Sequence, residues 1–371
     1  MSSPRATSTV KWPAAPALIV FLLIAGSACV LPAAGAGDGA PLAASAAPLL
    51  AARVNSRNVI HYVTINKRRY LYLHEIAAYY RIGCSIGGVR PTRKVVLGDT
   101  RGNSRLEFTE NSVSVLINGT AAALCFPVVV HKGNFMLEHT DFSELIDPIM
   151  RPTRVPRRII KTIMLDAGHG GTDQGAQAGG VMEKTLNLAM TRRVGAILAK
   201  RGYRVLYTRG SDVTMSLESR SKAAALRKPA LFLSIHCNSA VQKEIHGIEV
   251  FIANPAGAPS YGTDVLGKDC PSTKYNRINA LWAYYAQSAL VGATKAADRG
   301  VKRKQFYVVR ETPAPSMLVE IGFLSNDAER RKLLQADYQD KIAVALCDSI
   351  DKLARAVRPP VKPASTAPPR K

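Results

Sequence analysis

Two periodicities divide the chain. From about Asn58 to Met150, apolar and polar positions alternate in short runs: VVLGD, RLEFT, SVSVLING and ALCFPVVV. The runs are rich in β-branched residues and end in Gly, Asn or Asp, which predicts strands joined by turns. Two stretches, VTINKRRYLYLHEIAAYY and VVVHKGNFMLEHTDFSELI, each read as strand, polar turn, strand and short helix. This faint internal repeat predicts a small α+β domain over residues 58–150, built from two related units.

From Ile159 to about Val357 the pattern changes. IIKTIMLD predicts a strand, and EKTLNLAMTRRVGAILAKRG carries apolar residues at helical spacing until Gly202 closes it. Strand YRVLYTR, helix LESRSKAAALR, strand ALFLSIH and strand GIEVFIA follow. After an irregular stretch at Asn254–Asn276 come a long helix near Arg277–Ala297, a strand at MLVEIG and a final helix near Ala328–Ala356. Strands alternating with helices predict an α/β fold over residues 159–357, a mostly parallel sheet with helices on both faces. Sites in such sheets lie beyond the carboxyl ends of the strands. Between the two regions, residues 151–158 read RPTRVPRR. Two prolines deny regular structure and four arginines favour water, so a solvated linker is expected.

The ends of the chain speak to location. Arg5 and Lys11 precede the apolar run PALIVFLLIAGSACVLPAAGA, and Ala34-Gly35-Ala36 offers small residues for cleavage. This predicts a signal peptide over residues 1–36 and export to the periplasm or cell envelope. Two rival readings stay open: an uncleaved run is long enough to span a bilayer, and Cys29 is a lipidation candidate, although Gly26 sits where a larger aliphatic is usual. Membrane contact is expected only through one of these. Residues 37–57 form a small, Ala-rich spacer. The tail at 358–371 is Pro-rich, basic and expected to be disordered.

Composition adds a charge of +23, with 50 Lys+Arg against 27 Asp+Glu. Such a balance suits an anionic partner, whether nucleic acid, a membrane surface or an acidic wall polymer, and is equally the mark of a basic proteome. No nucleic-acid recognition motif accompanies it, and export removes the protein from nucleic acid. None of the six cysteines forms a CxxC pair, which argues against a cysteine zinc site. Cys84 and Cys125 could pair in an oxidising compartment; single buried thiols are the alternative.

Four residues carry the candidate chemistry. His169 follows an apolar strand in the glycine-rich turn LDAGHGG, Glu183 opens a helix in MEKTLNLAM, His236 ends the strand LFLSIHCN, and Glu320 ends MLVEIG. Two imidazoles and a carboxylate can hold a catalytic Zn²⁺ with one position left open. A second carboxylate can then take a proton from water. The bland readings are helix-dipole stabilisation for Glu183 and a structural ion pair for Glu320. Asp166 could hydrogen-bond a ligand imidazole or cap the loop. Asn238 could bind substrate or brace the site, and Arg220 is either a carboxylate binder or half of a structural ion pair.

LDAGHGGTDQGA, Glu183-Lys184, LYTR, SIHCN, DRGVKRKQFYVVR and MLVEIGFLSN, in that order, resemble the zinc-dependent N-acetylmuramoyl-L-alanine amidases from about Thr162 to Leu353. The resemblance implies zinc ligands at His169, Glu183 and His236, and a catalytic carboxylate at Glu320. It implies cleavage of the amide between N-acetylmuramic acid and L-alanine in peptidoglycan, for wall remodelling or daughter-cell separation. Ala167, Thr185, Cys237 and Ala225 depart from the family's usual residues without removing a ligand or the base. Amidases of this kind can carry a segment that covers the zinc where Asn254–Asn276 stands here. The strand GIEVFIA is expected to end on the His236 side, so this loop is a candidate inhibitory lid for an activator protein, against the alternative of a surface loop.

NSVSVLING and HKGNFMLEH resemble the small N-terminal domain of copper amine oxidases, which here implies a wall-targeting module and no copper. A chain beginning near Arg157 is therefore expected to cleave soluble muropeptides still and to bind intact sacculi less well. The rival to an enzyme is a non-catalytic peptidoglycan-binding or division-regulating protein on an amidase scaffold; the intact four-residue set argues against it.

Overall fold

The computed structural model describes residues 59–102 and 104–360. The expected signal peptide and spacer lie outside them, as does most of the tail. Among the described residues no helix is long and apolar enough to cross a membrane.

The first region opens with a hairpin, β1 (Tyr62–Ile65) and β2 (Arg68–Tyr72), and a helix, α1 (Leu73–Tyr80). A meander follows: β3 (Gly83–Gly87), β4 (Lys94–Gly98), β5 (Arg105–Thr109), β6 (Ser114–Ile117) and β7 (Thr120–Ala123). A second hairpin, β8 (Val129–His131) and β9 (Asn134–Glu138), leads into α2 (His139–Asp141), a wider turn at Phe142–Ile146 and α3 (Asp147–Met150). Both units of the internal repeat therefore have the strand–turn–strand–helix order. They meet through their second strands, with Leu71 opposite Leu137 in an antiparallel pair.

The second region contains β10 (Thr162–Ala167), the short hairpin β11 (Gln177–Ala178) and β12 (Val181–Met182), and α4 (Glu183–Lys200). Then come β13 (Arg204–Tyr207), α5 (Leu217–Arg227), β14 (Leu231–Asn238), β15 (Ile248–Ile252) and α6 (Asn276–Thr294). The chain ends with β16 (Asp298–Arg303), α7 (Tyr307–Arg310), β17 (Ser316–Phe323), α8 (Asp327–Leu333) and α9 (Ala336–Ala356). The final helix is thus two, broken at Leu334-Gln335.

Strands β13, β10, β14 and β17 run parallel, with apolar residues on both faces. Helices α4, α6 and α9 cover one face through Leu186, Met190, Trp282, Leu346 and Ile350. Met164, Phe232, Phe251, Val308 and Leu318 form the core of the other. This is the expected α/β architecture.

Three features differ from the sequence reading. First, β15 runs antiparallel to β17, with Glu249 opposite Glu320 and Phe251 opposite Leu318. Its carboxyl end therefore points away from His236, and the loop at Asn254–Asn276 leaves from the far end of the sheet. There Ser272 donates its N–H to the Arg310 carbonyl and the Tyr275 hydroxyl donates to that of Pro313. The lid reading of this loop, and with it an activator acting there, is corrected. The reading failed because strand direction was inferred from alternation alone.

Second, the two regions share one sheet. The order β13-β10-β14-β17-β15-β16-β7-β6-β5-β4-β3 runs through both, joined where Val301 of β16 lies parallel to Ala122 of β7. Third, residues 151–158 are pinned at several points, although Thr153, Arg154, Pro156 and Arg157 remain exposed as a solvated linker would have them. Val155 is only 2% exposed. Arg151 pairs with Asp147 at 2.6 Å and lies over the Tyr79 ring, while the Arg158 N–H binds the Val357 carbonyl. Cys84 and Cys125 are free thiols, as are the other described cysteines.

Candidate metal centre

The site is assembled at the carboxyl ends of β10, β14 and β17. At the end of β10 the chain turns sharply through Gly168–Gly171. His169 has φ 59°, a left-handed conformation costly for a residue with a Cβ. Two buried arginines hold the turn. Arg209 donates to the carbonyls of Ala167 (2.9 Å), Gly168 (2.9 Å) and Lys184 (3.0 Å). Arg220 donates to those of Ala167 and His169, each at 2.7 Å. Glycine is required at two positions by close approach. A Cβ on Gly168 would sit 2.2 Å from the His236 ring, and one on Gly175 would lie 2.6 Å from a Glu183 oxygen.

Glu183 begins α4 and lies between the imidazoles. Its Oε2 is 3.1 Å from His169 Nε2, and its Oε1 is 2.9 Å from His236 Nδ1. One ligand atom from each of the three residues lies within 4.8 Å of the others. Burial works against the Glu183 charge, but the two imidazoles outweigh it and hold the carboxyl well below the usual range. Burial likewise opposes the His169 imidazolium, and the carboxylates of Glu183 and Asp173 overcome it to raise the pKa.

Glu320 stands beside His236, its register partner across β14 and β17. Its Oε2 is buried and meets no hydrogen-bond donor among the described residues. Burial pushes its pKa well above the carboxylate range, and the nearby charges of Glu183 and Glu249 push the same way, with Lys304 acting weakly against them from beyond ion-pair distance. A structural ion pair would show a cation against this oxygen, and none is present among the described residues.

This cluster falls within a stretch, residues 163–352, that matches the family model for N-acetylmuramoyl-L-alanine amidase. The chain belongs to that family. It is 36% identical over 191 residues to the uncharacterised YqiI of Bacillus subtilis, covering 52% of this chain and 84% of that protein. It is 34% identical over 189 residues to the amidase LytC of the same organism, covering 51% of this chain but 34% of LytC. Against the germination-specific amidase of B. subtilis it is 33% identical over 205 residues, covering 51% of this chain and 78% of the relative.

The amidase fold places the remaining candidates in supporting positions. Asp166 does not touch an imidazole. It forms a buried pair with Arg220 at 2.6 Å and accepts hydrogen bonds from the Thr208 and Ser234 hydroxyls. Burial opposes its charge, but Arg220 and the hydroxyls hold its pKa below the ordinary value. Arg220 is committed to Asp166 and to backbone carbonyls, so it braces the His169 turn and is not placed to bind a substrate carboxylate. Asn238 donates to Glu249 Oε1 at 2.7 Å, also a bracing role.

Four contributors escaped the sequence reading. Asp173 fixes His169 through its Nδ1 at 2.8 Å. Asn187 donates to Glu183 Oε1 at 3.0 Å and to the Gly168 carbonyl at 3.2 Å. Its position one helical turn after Glu183 was the available signal. Arg209 gave no signal. Glu249 did: it is a carboxylate in the apolar strand GIEVFI, the same anomaly that marked Glu320.

The residues present fit a catalytic zinc. Two imidazole nitrogens and one carboxylate are the donor chemistry of such centres. The glycines keep the approach to them clear, and a buried, unpartnered carboxylate stands alongside.

Proposed function

We propose that this enzyme hydrolyses the amide between N-acetylmuramic acid and L-alanine in peptidoglycan, with His169, Glu183 and His236 holding Zn²⁺ and Glu320 acting as general base and acid. The observation that carries the reading is the buried, unpartnered Oε2 of Glu320 beside the His–Glu–His cluster. When bound, zinc would polarise the scissile carbonyl and acidify water.

The chain's own groups do the rest. Asp173 orients His169 through Nδ1, which leaves Nε2, the nitrogen facing Glu183, for the metal. The N–H groups of Cys237 (3.2 Å) and Ala176 (2.9 Å) and the Asn187 amide hold both Glu183 oxygens. Glu320 takes a proton from the attacking water and returns one to the departing L-alanine nitrogen. Burial without a donor raises its pKa above the ordinary carboxylate range, the direction expected of one group that both takes and returns a proton. Stem-peptide carboxylates suit a chain of net charge +23. Export by the N-terminal signal would bring the enzyme to the wall. A non-catalytic wall-binding role gives no reason to keep Glu320 buried without a partner, at a cost of about 1–3 kcal/mol or more.

The deciding experiment is Glu320→Gln, nearly the same shape but unable to accept the proton. The variant is expected to keep its fold and zinc and to lose about 100-fold or more in kcat on purified peptidoglycan. Near-normal turnover would place the base elsewhere.

A further inference from the structure

Beside Glu320 lies a second buried carboxylate. Glu249 is 4% exposed and stands directly opposite Glu320 in the antiparallel pair of β15 and β17, so both side chains leave the same face of the sheet. The two carboxylates live in opposite surroundings. Glu249 is saturated. Its Oε2 accepts from Arg299 Nε at 3.1 Å and pairs with Lys302 Nζ, and its Oε1 accepts from Asn238 at 2.7 Å. Glu320 Oε2 has no hydrogen-bond partner among the described residues.

The cations are not equivalent. Arg299 is partly exposed and lies over the Phe323 ring at 4.9 Å, so it keeps access to water. Lys302 is 7% exposed, sits near the Tyr261 and Phe251 rings, and has its ammonium against Glu249. A buried ammonium must find an anion or lose its charge. In β16 it shares a face with Glu249 and Phe251, since Phe251 is its register partner. Glu320 is on that face too, and it is the next carboxylate along.

We propose that Glu249 is a positioning residue for hydrolysis: it confines Lys302 and Arg299 so that the Glu320 carboxylate beside it stays free of a cationic partner. A lysine paired with Glu320 would occupy the oxygen that must accept the proton. Glu249 thus works through Glu320 and touches neither substrate nor ligand. Its bond to Asn238, two residues beyond His236, also ties the end of β14 to this arrangement.

The inference rests on Glu320 being the base, and the test separates the two. In Glu249→Gln the side chain keeps its shape and its hydrogen bond to Asn238, but Lys302 loses its counter-charge. We expect kcat to fall about 30-fold or more with KM and zinc content little changed, as for an interaction felt only in the transition state. Adding Lys302→Met removes the stranded ammonium at similar volume, and the double variant should recover to within about tenfold of the parent, because deleting both halves of a buried pair is often tolerated.

A crystal structure of the single variant should show Lys302 Nζ within hydrogen-bonding distance of Glu320. Each activity is read below the variant's own melting transition. If the single variant does not fold, the double variant decides alone: near-parental turnover supports confinement of Lys302, and loss beyond about 100-fold means Glu249 is needed in its own right. Unchanged kcat in Glu249→Gln, or a loss that Lys302→Met does not relieve, overturns the proposal. An active Glu320→Gln would instead remove the reading beneath it.

Discussion

Val301 and Ala122 lie side by side as parallel-strand partners, and through them the sheet passes from one region of the chain into the other. Around this seam the Ala121 N–H donates to Asp298 at 2.8 Å and Arg303 donates to the Glu144 carbonyl at 2.8 Å. Arg277 reaches Asp147 at 3.0 Å and the Ser143 carbonyl at 2.6 Å. Leu124, Ile146 and Ile149 belong to the same apolar cluster as Trp282 and Leu281. The first region is therefore built onto the amidase region, whatever else it binds.

A chain beginning near Arg157 leaves β16 as a raw sheet edge, uncovers that apolar surface and strands two arginines. It is expected to aggregate, or to melt at least about 10 °C below the whole protein, since a loss of a few kcal/mol shifts a domain this size by that much. Calorimetry of both forms checks this. A soluble, cooperatively folded truncation with the parent's melting temperature would mean that the two regions fold independently.

The Asn254–Asn276 loop gives a second contrast. Arg68 donates to the Gly257 carbonyl at 3.0 Å, the Tyr261 N–H donates to that of Arg303 at 2.8 Å, and Ala258 packs with Cys125 and Phe126. These contacts clamp the loop to the first region and to β16, at the end of the sheet opposite the imidazoles. Replacing residues 263–269 by a short Gly/Ser turn, which keeps Tyr261 against Lys302, should lower thermal stability and leave turnover on soluble muropeptides unchanged. A rise in turnover at unchanged zinc content would restore the lid.

How far the sequence carried the fold depends on what each signal encodes. Alternation and helical spacing located the strands of β10, β14 and β17 and the helices α4 and α6, because burial on both faces writes continuous apolar runs. Strand direction leaves no such trace, so β15 was turned the wrong way. The strand β16, DRGVKR, escaped altogether. Its glycine and four charged residues read as a loop, yet Lys302 and Arg303 are buried there because Glu249 and backbone carbonyls neutralise them. The cluster itself was legible because histidine or glutamate ending an apolar strand is chemically out of place. Bracing groups such as Arg209 were not, since an arginine that serves backbone carbonyls resembles any surface arginine until the turn is folded.

For the metal, His169, Glu183 and His236 are expected to bind about one zinc per chain, as three-ligand catalytic centres do. Elemental analysis of the parent and of His169→Ala/His236→Ala reads this directly. The double variant should contain almost no zinc, and zinc added to the chelator-treated parent should raise its melting temperature, because an ion that binds only the native state stabilises it. Equal zinc in parent and variant would move the centre away from these residues.

Asp141 sets the last expectation. It is 1% exposed, and its two oxygens accept the backbone N–H groups of Cys125 (2.7 Å) and Phe126 (2.9 Å), joining the end of the meander to the helical turn before α3. Burial raises its pKa to about 7, although both N–H groups and Arg303 act against the rise. The folded value lies above the unfolded one, so between about pH 4 and pH 7 the native protein keeps a proton that the unfolded chain has released. Stability from this group is full below about pH 4 and is lost as the pH climbs through that window. Asp141→Asn gives up one acceptor, which should cost about 1–2 kcal/mol at low pH, but the amide has no proton to lose. The parent's advantage over the variant should therefore shrink from about pH 4 and reverse before pH 7 in denaturant titrations, since a rise from 3.8 to about 7 is worth about 4 kcal/mol, more than the lost acceptor. An advantage that stays constant or grows across that range would mean that Asp141 is ionised throughout and that its two N–H donors, not burial, set its state.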